Sequence, residues 1–206
     1  MRMPMISHPR DRHRGFSMIE VLVTVTVISI GMLGIAGLLL GAQRSGQASF
    51  QRTHAVALAS DLMERIRANP GSAGDYETGL GAAALGGSSL DEPAACAATI
   101  CTAPETVARD LWEWESKLDG ASTLDPEDNP ISGLIQARGC IDFTPDAGMT
   151  NSGQLRVIVS WLGLSETSDA LQAAEVACGV IDDADTRFRR QVVLSTIIID
   201  PEDLVP

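Results

Sequence analysis

The chain has 206 residues, a formal net charge of −12, and 45% hydrophobic against 20% charged residues. So acidic a balance argues against a nucleic-acid partner, which needs clustered Lys and Arg to neutralise phosphates. It mainly confers solubility. The 137 residues after Asn69 suffice for one domain with a real core.

In chain order, a basic head comes first, with Arg2, Arg10, Arg12 and Arg14 against one acid, Asp11, and it ends at Gly15. Phe16 then opens a run of 27 residues, to Ala42, whose only charge is Glu20. A bilayer core of ~30 Å needs about 20 apolar residues at ~1.5 Å rise. The run is therefore long enough to span a membrane, and the basic flank places the N-terminus on the cytoplasmic side. A secretory signal peptide has a shorter apolar region, about 7–15 residues, ending in a small-x-small cleavage site. A plain anchor fits the length but leaves Glu20 unexplained. A carboxylate inside an apolar span is costly and calls for a named partner, unless it lies near enough to the interface to reach water.

The stretch Gly15-Phe16-Ser17-Met18-Ile19-Glu20-Val21-Leu22-Val23 resembles the class III signal of type IV pilins and of type II secretion pseudopilins. The resemblance implies that a prepilin peptidase cuts between Gly15 and Phe16 and N-methylates Phe16. Glu20 falls at the family's fifth mature residue, where it neutralises the N-terminal amine of a neighbouring subunit as helices stack in a filament. Removal of residues 1–15, which carry a net charge of +3, leaves a mature charge of −15.

The helix is expected to continue past the membrane to about Ala68, ~78 Å from Ser17 at ~1.5 Å per residue. Ala55, Leu58, Leu62 and Ile66 recur on one apolar stripe. Asp61 and Arg65 form an i,i+4 pair assigned to the solvated side, and Asn69-Pro70-Gly71 stops the helix. Gly31, Gly34, Gly37 and Gly41 read either as close helix packing in lipid or, by the resemblance, as a weak point that unwinds. The family's frequent helix-breaking proline is absent here.

Residues 71–89, rich in Gly, Ala and Ser, read as a mobile loop. The Cys96 and Cys101 spacing is neither redox nor zinc-like and favours a short disulfide loop. Four cysteines on the exported side of a membrane read as two disulfides. Cys140 with Cys178 is then the second pair, one of three possible connectivities. A second helix runs from Pro104 to about Leu118, with Val107, Leu111, Trp114 and Leu118 on one face and Trp112 off it, over a loop. Acidic stretches at 119–130 and 182–185 read as solvated turns rather than metal loops. Strands are expected at 137–144, 154–162 and 188–199, in an antiparallel meander, with residues 165–176 a turn or short helix.

The whole predicts an α+β protein: a long N-terminal helix, half of it transmembrane, packed on a C-terminal domain with an antiparallel sheet, type IV pilin-like. The expected organisation is leader 1–15, transmembrane or filament-core helix 16–42, amphipathic helix 43–69 and periplasmic domain 70–206. Gly31 to Gly37, Ala55 to Asn69, Asp110 to Trp114, Val157 to Trp161 and Arg189 to Leu194 together resemble PilV-like minor pilins. That resemblance implies a non-enzymatic subunit, in the inner membrane before assembly and in the pilus afterwards. Its implied partners are the prepilin peptidase, other minor pilins, the major pilin and a tip adhesin. A pseudopilin of a type II secretion system is the alternative. No cofactor or metal is expected. His8 and His13 lie in the leader, His54 stands alone, and no Gly-x-Ser-x-Gly or His-Glu-x-x-His motif occurs.

Overall fold

The computed structural model describes residues 15–81, 84–96, 100–120, 133–166, 178–179 and 187–204. Residues 1–14, the acidic stretches 121–130 and 182–185, and 167–176 of the expected turn or short helix lie outside the described residues. The chain divides into two compact units between Ser45 and Gly46, within one helix, α1 (Met18–Ala68).

In the first unit α1 is apolar, and its large side chains from Phe16 to Leu40 are exposed. By length and composition it can cross a membrane. Its three hydroxyl residues before Gly31 satisfy themselves internally. Thr24 Oγ1 donates to the Val21 carbonyl at 2.9 Å, Thr26 to Val23 at 2.8 Å and Ser29 to Val25 at 2.7 Å. Such back-bonding leaves none of these three hydroxyls demanding water, which an apolar surrounding requires.

In the second unit the stripe of α1 is the spine of the core. Ala55, Leu58, Ala59, Leu62, Met63 and Ile66 are all buried, and each large aliphatic side chain contributes ~1.5–3 kcal/mol on full burial. Pro70 ends the helix, but the chain does not fall into a loop. Pro70–Tyr76 is a 3-10 turn with Ala73 and Tyr76 fully buried, which corrects the expectation of a mobile segment from residue 71 onwards.

Helix α2 (Ala103–Leu118) starts where the Glu105 carboxylate accepts both the N–H and the hydroxyl of Thr102, each at 2.8 Å. Gly120, at φ +76, closes its far end. Val107, Trp114 and Leu118 are buried, and the Trp114 indole N–H donates to the Leu58 carbonyl at 2.9 Å. Trp112 is half-buried under the Arg109 guanidinium, 5.7 Å from the ring centroid. Arg109 also donates to the carbonyls of Pro93 and Ala94, which ties α2 to the segment before it.

Strands β1 (Ile135–Pro145), β2 (Gly153–Leu162) and β3 (Arg189–Ile198) form an antiparallel meander in the order β1-β2-β3. Alternation puts Ile141, Phe143, Leu155, Val157, Val159 and Val192 on the face toward the helices. The opposite face is covered around Cys140, Ile158 and Cys178, with Leu80 and Ala84 against them. Cys140–Cys178 and Cys96–Cys101 are disulfide-bonded, with Cα–Cα distances of 5.8 and 5.0 Å.

The outer edge of β1 is closed by the segment that follows the 3-10 turn. Leu85 and Gly139 exchange both backbone hydrogen bonds, at 2.8 and 2.9 Å. Thr78 and Gly79 donate to the Ile141 carbonyl, each at 3.1 Å.

Candidate functional site

The bond between Gly15 and Phe16 lies in exposed, non-helical backbone directly before α1, and Phe16 is 83% exposed. A Cβ built at Gly15 meets nothing within 4 Å. Ser17 starts the helix: its carbonyl accepts the N–H of Glu20 at 3.1 Å and of Val21 at 3.3 Å, and its hydroxyl accepts that of Glu20 at 3.3 Å. This puts the Glu20 carboxylate in the first helical turn, exposed among apolar side chains, where the helix dipole favours an anion. Gly31, Gly34, Gly37 and Gly41 likewise face open space.

The second unit holds its charges differently. The expected i,i+4 pair of Asp61 and Arg65 is present, but it faces α2 rather than solvent, and Arg65 is the hub between α1 and α2. Its Nη1 donates to Asp110 at 2.7 Å and to Glu113 at 2.8 Å, while its Nε lies 3.4 Å from Asp61. Lys117 reaches Asp61 at 2.7 Å, and the Tyr76 hydroxyl donates to Asp110 at 2.6 Å. The pairing is partly buried, with Arg65 and Asp110 more shielded than Asp61 and Glu113, so removing Arg65 would cost more than at an exposed ion pair, worth ~0–1 kcal/mol. Glu115, on α2, is 2% exposed. Burial works to raise its pKa, but hydrogen bonds from Ser89, Gly86 and Leu90 outweigh it and hold the carboxyl below its usual range. A carboxyl depressed in the folded state adds stability above its unfolded pKa and loses it as pH falls through the folded one.

His54 stacks on Phe50, ring centroids 6.3 Å apart. Among the described residues no group of three or more His, Cys, Asp or Glu is arranged to hold a metal ion.

A long apolar helix followed by a three-stranded antiparallel sheet is consistent with a type IV pilin fold. Residues 37–112 match the family described as Type IV pilin Tt1218, and residues 10–36 match the prokaryotic N-terminal methylation motif. No curated protein and no solved structure matches the chain. The two matches, consecutive along one chain, support a place in the type IV pilin superfamily, whose members are structural rather than enzymatic. The methylation motif implies processing by a prepilin peptidase and assembly with other pilins.

Proposed function

We propose that this chain is a minor pilin of the type IV pilus, PilV-like, and that its role is assembly rather than catalysis. What supports a pilin-type subunit is the apolar first half of α1, exposed along its length, with Glu20 as its only charge and Gly15–Phe16 immediately before it; the stretches Asp110 to Trp114, Val157 to Trp161 and Arg189 to Leu194 are what favour the PilV-like branch over a pseudopilin. In this reading a prepilin peptidase removes residues 1–15 and N-methylates Phe16. The protein first sits in the inner membrane, with its N-terminus cytoplasmic and the domain from residue 70 periplasmic. Residues 16–42 then move from lipid into the filament core, and Glu20 pairs with the amine of a neighbouring subunit. Joined to other minor pilins, the major pilin and a tip adhesin, it primes the pilus used in twitching.

Deleting the gene, and scoring surface pili with twitching beside secreted exoproteins, tests the assignment. Loss of pili with secretion intact is the expected outcome. Loss of secretion with pili intact would move the protein to the pseudopilus of a type II secretion system.

A further inference from the structure

Five consecutive backbone amides, those of Gly86 to Leu90, are turned toward two carboxylates four residues apart, Glu115 in the last turn of α2 and Asp119 at its C-cap. Glu115 Oε1 accepts the N–H groups of Gly86 and Ser89, each at 2.8 Å, and the Ser89 hydroxyl at 2.5 Å; its Oε2 accepts the Leu90 N–H at 2.7 Å. Asp119 accepts the N–H groups of Gly87 at 2.7 Å and Ser88 at 2.6 Å. Backbone at positive φ helps turn successive amides to one side, and Gly86, Gly87 and Ser88 have φ of +120°, +81° and +55°. A Cβ at Gly86 would lie 2.6 Å from the Ala137 carbonyl oxygen. The Arg138 guanidinium flanks the same turn, its Nη1 3.0 Å from that Cβ position.

Leu85, immediately before the turn, makes the two-way bond to Gly139 on the outer edge of β1. An open edge is a template for pairing with another chain, and folded proteins cover such edges. Glu115 is buried and Asp119, the C-cap residue, is half-buried, so both carboxylates reach the turn from the C-terminal end of α2.

We propose that Glu115 and Asp119 form a clasp that holds residues 84–90 over the outer edge of β1. The covered edge then opens as a unit of its own, separately from β2 and β3, and strand addition on that side is barred while the clasp holds. The clasp is electrostatic. Glutamine in place of Glu115 keeps the shape but turns an –NH2 toward backbone donors, leaving amides unpaired.

Amide hydrogen exchange on the full chain in detergent tests this, comparing the parent with Glu115→Gln, with the milder Asp119→Asn, and with Asp142→Asn as a control on the Arg156 pair of the opposite face. The expected result is at least about 10-fold faster exchange at residues 85–90 and Gly139 in both clasp variants, with Val157 and Val192 keeping their protection. The control should leave 85–90 unchanged. Equal acceleration across all three strands in the clasp variants, or unchanged exchange at 85–90, would overturn the proposal. If Glu115→Gln does not fold, Asp119→Asn decides the question by the same criterion.

Discussion

Gly139→Ala is expected to destabilise the second unit by about 3 kcal/mol, near the upper end of what overpacking a core costs. A Cβ at Gly139 would lie 2.3 Å from Trp114 Cη2, 2.4 Å from Cζ3 and 2.8 Å from Leu118 Cδ1. None of these atoms has room to retreat. Trp114 is fully buried and its indole N–H is fixed to the Leu58 carbonyl, while Leu118 is 1% exposed. Backbone movement at residue 139 is also resisted, because the same residue is bonded to Leu85 on one side and paired with Val159 on the other. Thermal unfolding of the full chain in detergent should show a midpoint lower by roughly 5–10 °C. Combining the change with Trp114→Leu should cost less than the sum of the two single changes, as expected for residues in contact. An unchanged midpoint would mean that the indole does not lie over residue 139.

The second large effect concerns assembly. Glu20→Ala is expected to leave cleavage intact while removing the protein from filaments. A carboxylate at the centre of an apolar span costs ~2.5–3.5 kcal/mol on insertion scales, and one in the first turn less, so alanine should still be tolerated by the membrane-inserted subunit. In the filament the balance reverses. An ammonium buried without its carboxylate costs ~3–5 kcal/mol, which is a fall in incorporation of more than about 100-fold. Immunoblots of sheared filaments beside the membrane fraction read this directly. Normal amounts in the filaments would show that Glu20 has no partner there.

The two features behind these predictions were not equally legible. Glu20 stands out in the sequence because a lone acid in 27 residues breaks a composition, and Gly15 and Phe16 stand at a fixed distance from it. The extent of α1, its stripe from Ala55 to Ile66 and the three strands were also readable, since periods of 3.6 and 2 are local properties. Gly139 was not. Its need for a missing side chain is set by Trp114, 25 residues earlier, and no local pattern connects the two.

The same limit applies to Arg65 and to residues 71–89. Asp61 and Arg65 have helical spacing, and spacing alone made them a solvated pair; Asp110 and Glu113, which draw Arg65 into the α1–α2 contact, lie 45 and 48 residues away. Gly86-Gly87-Ser88-Ser89 has the composition of a flexible linker. Glycines that allow free motion and glycines that permit a left-handed turn around a carboxylate look alike until Glu115 and Asp119 are placed beside them. Tyr76 lies in a stretch whose Gly, Ala and Ser content reads as a loop, yet that content, and the proline before it, are compatible with a 3-10 turn.

The central claim, that this chain is a processed pilin subunit, is tested most directly by the mass and N-terminal sequence of the protein recovered from sheared filaments. The expected species begins at Phe16, carries one methyl group on its amine and retains both disulfides. A filament-borne chain that still holds residues 1–15, or one that begins elsewhere than Phe16, would contradict it.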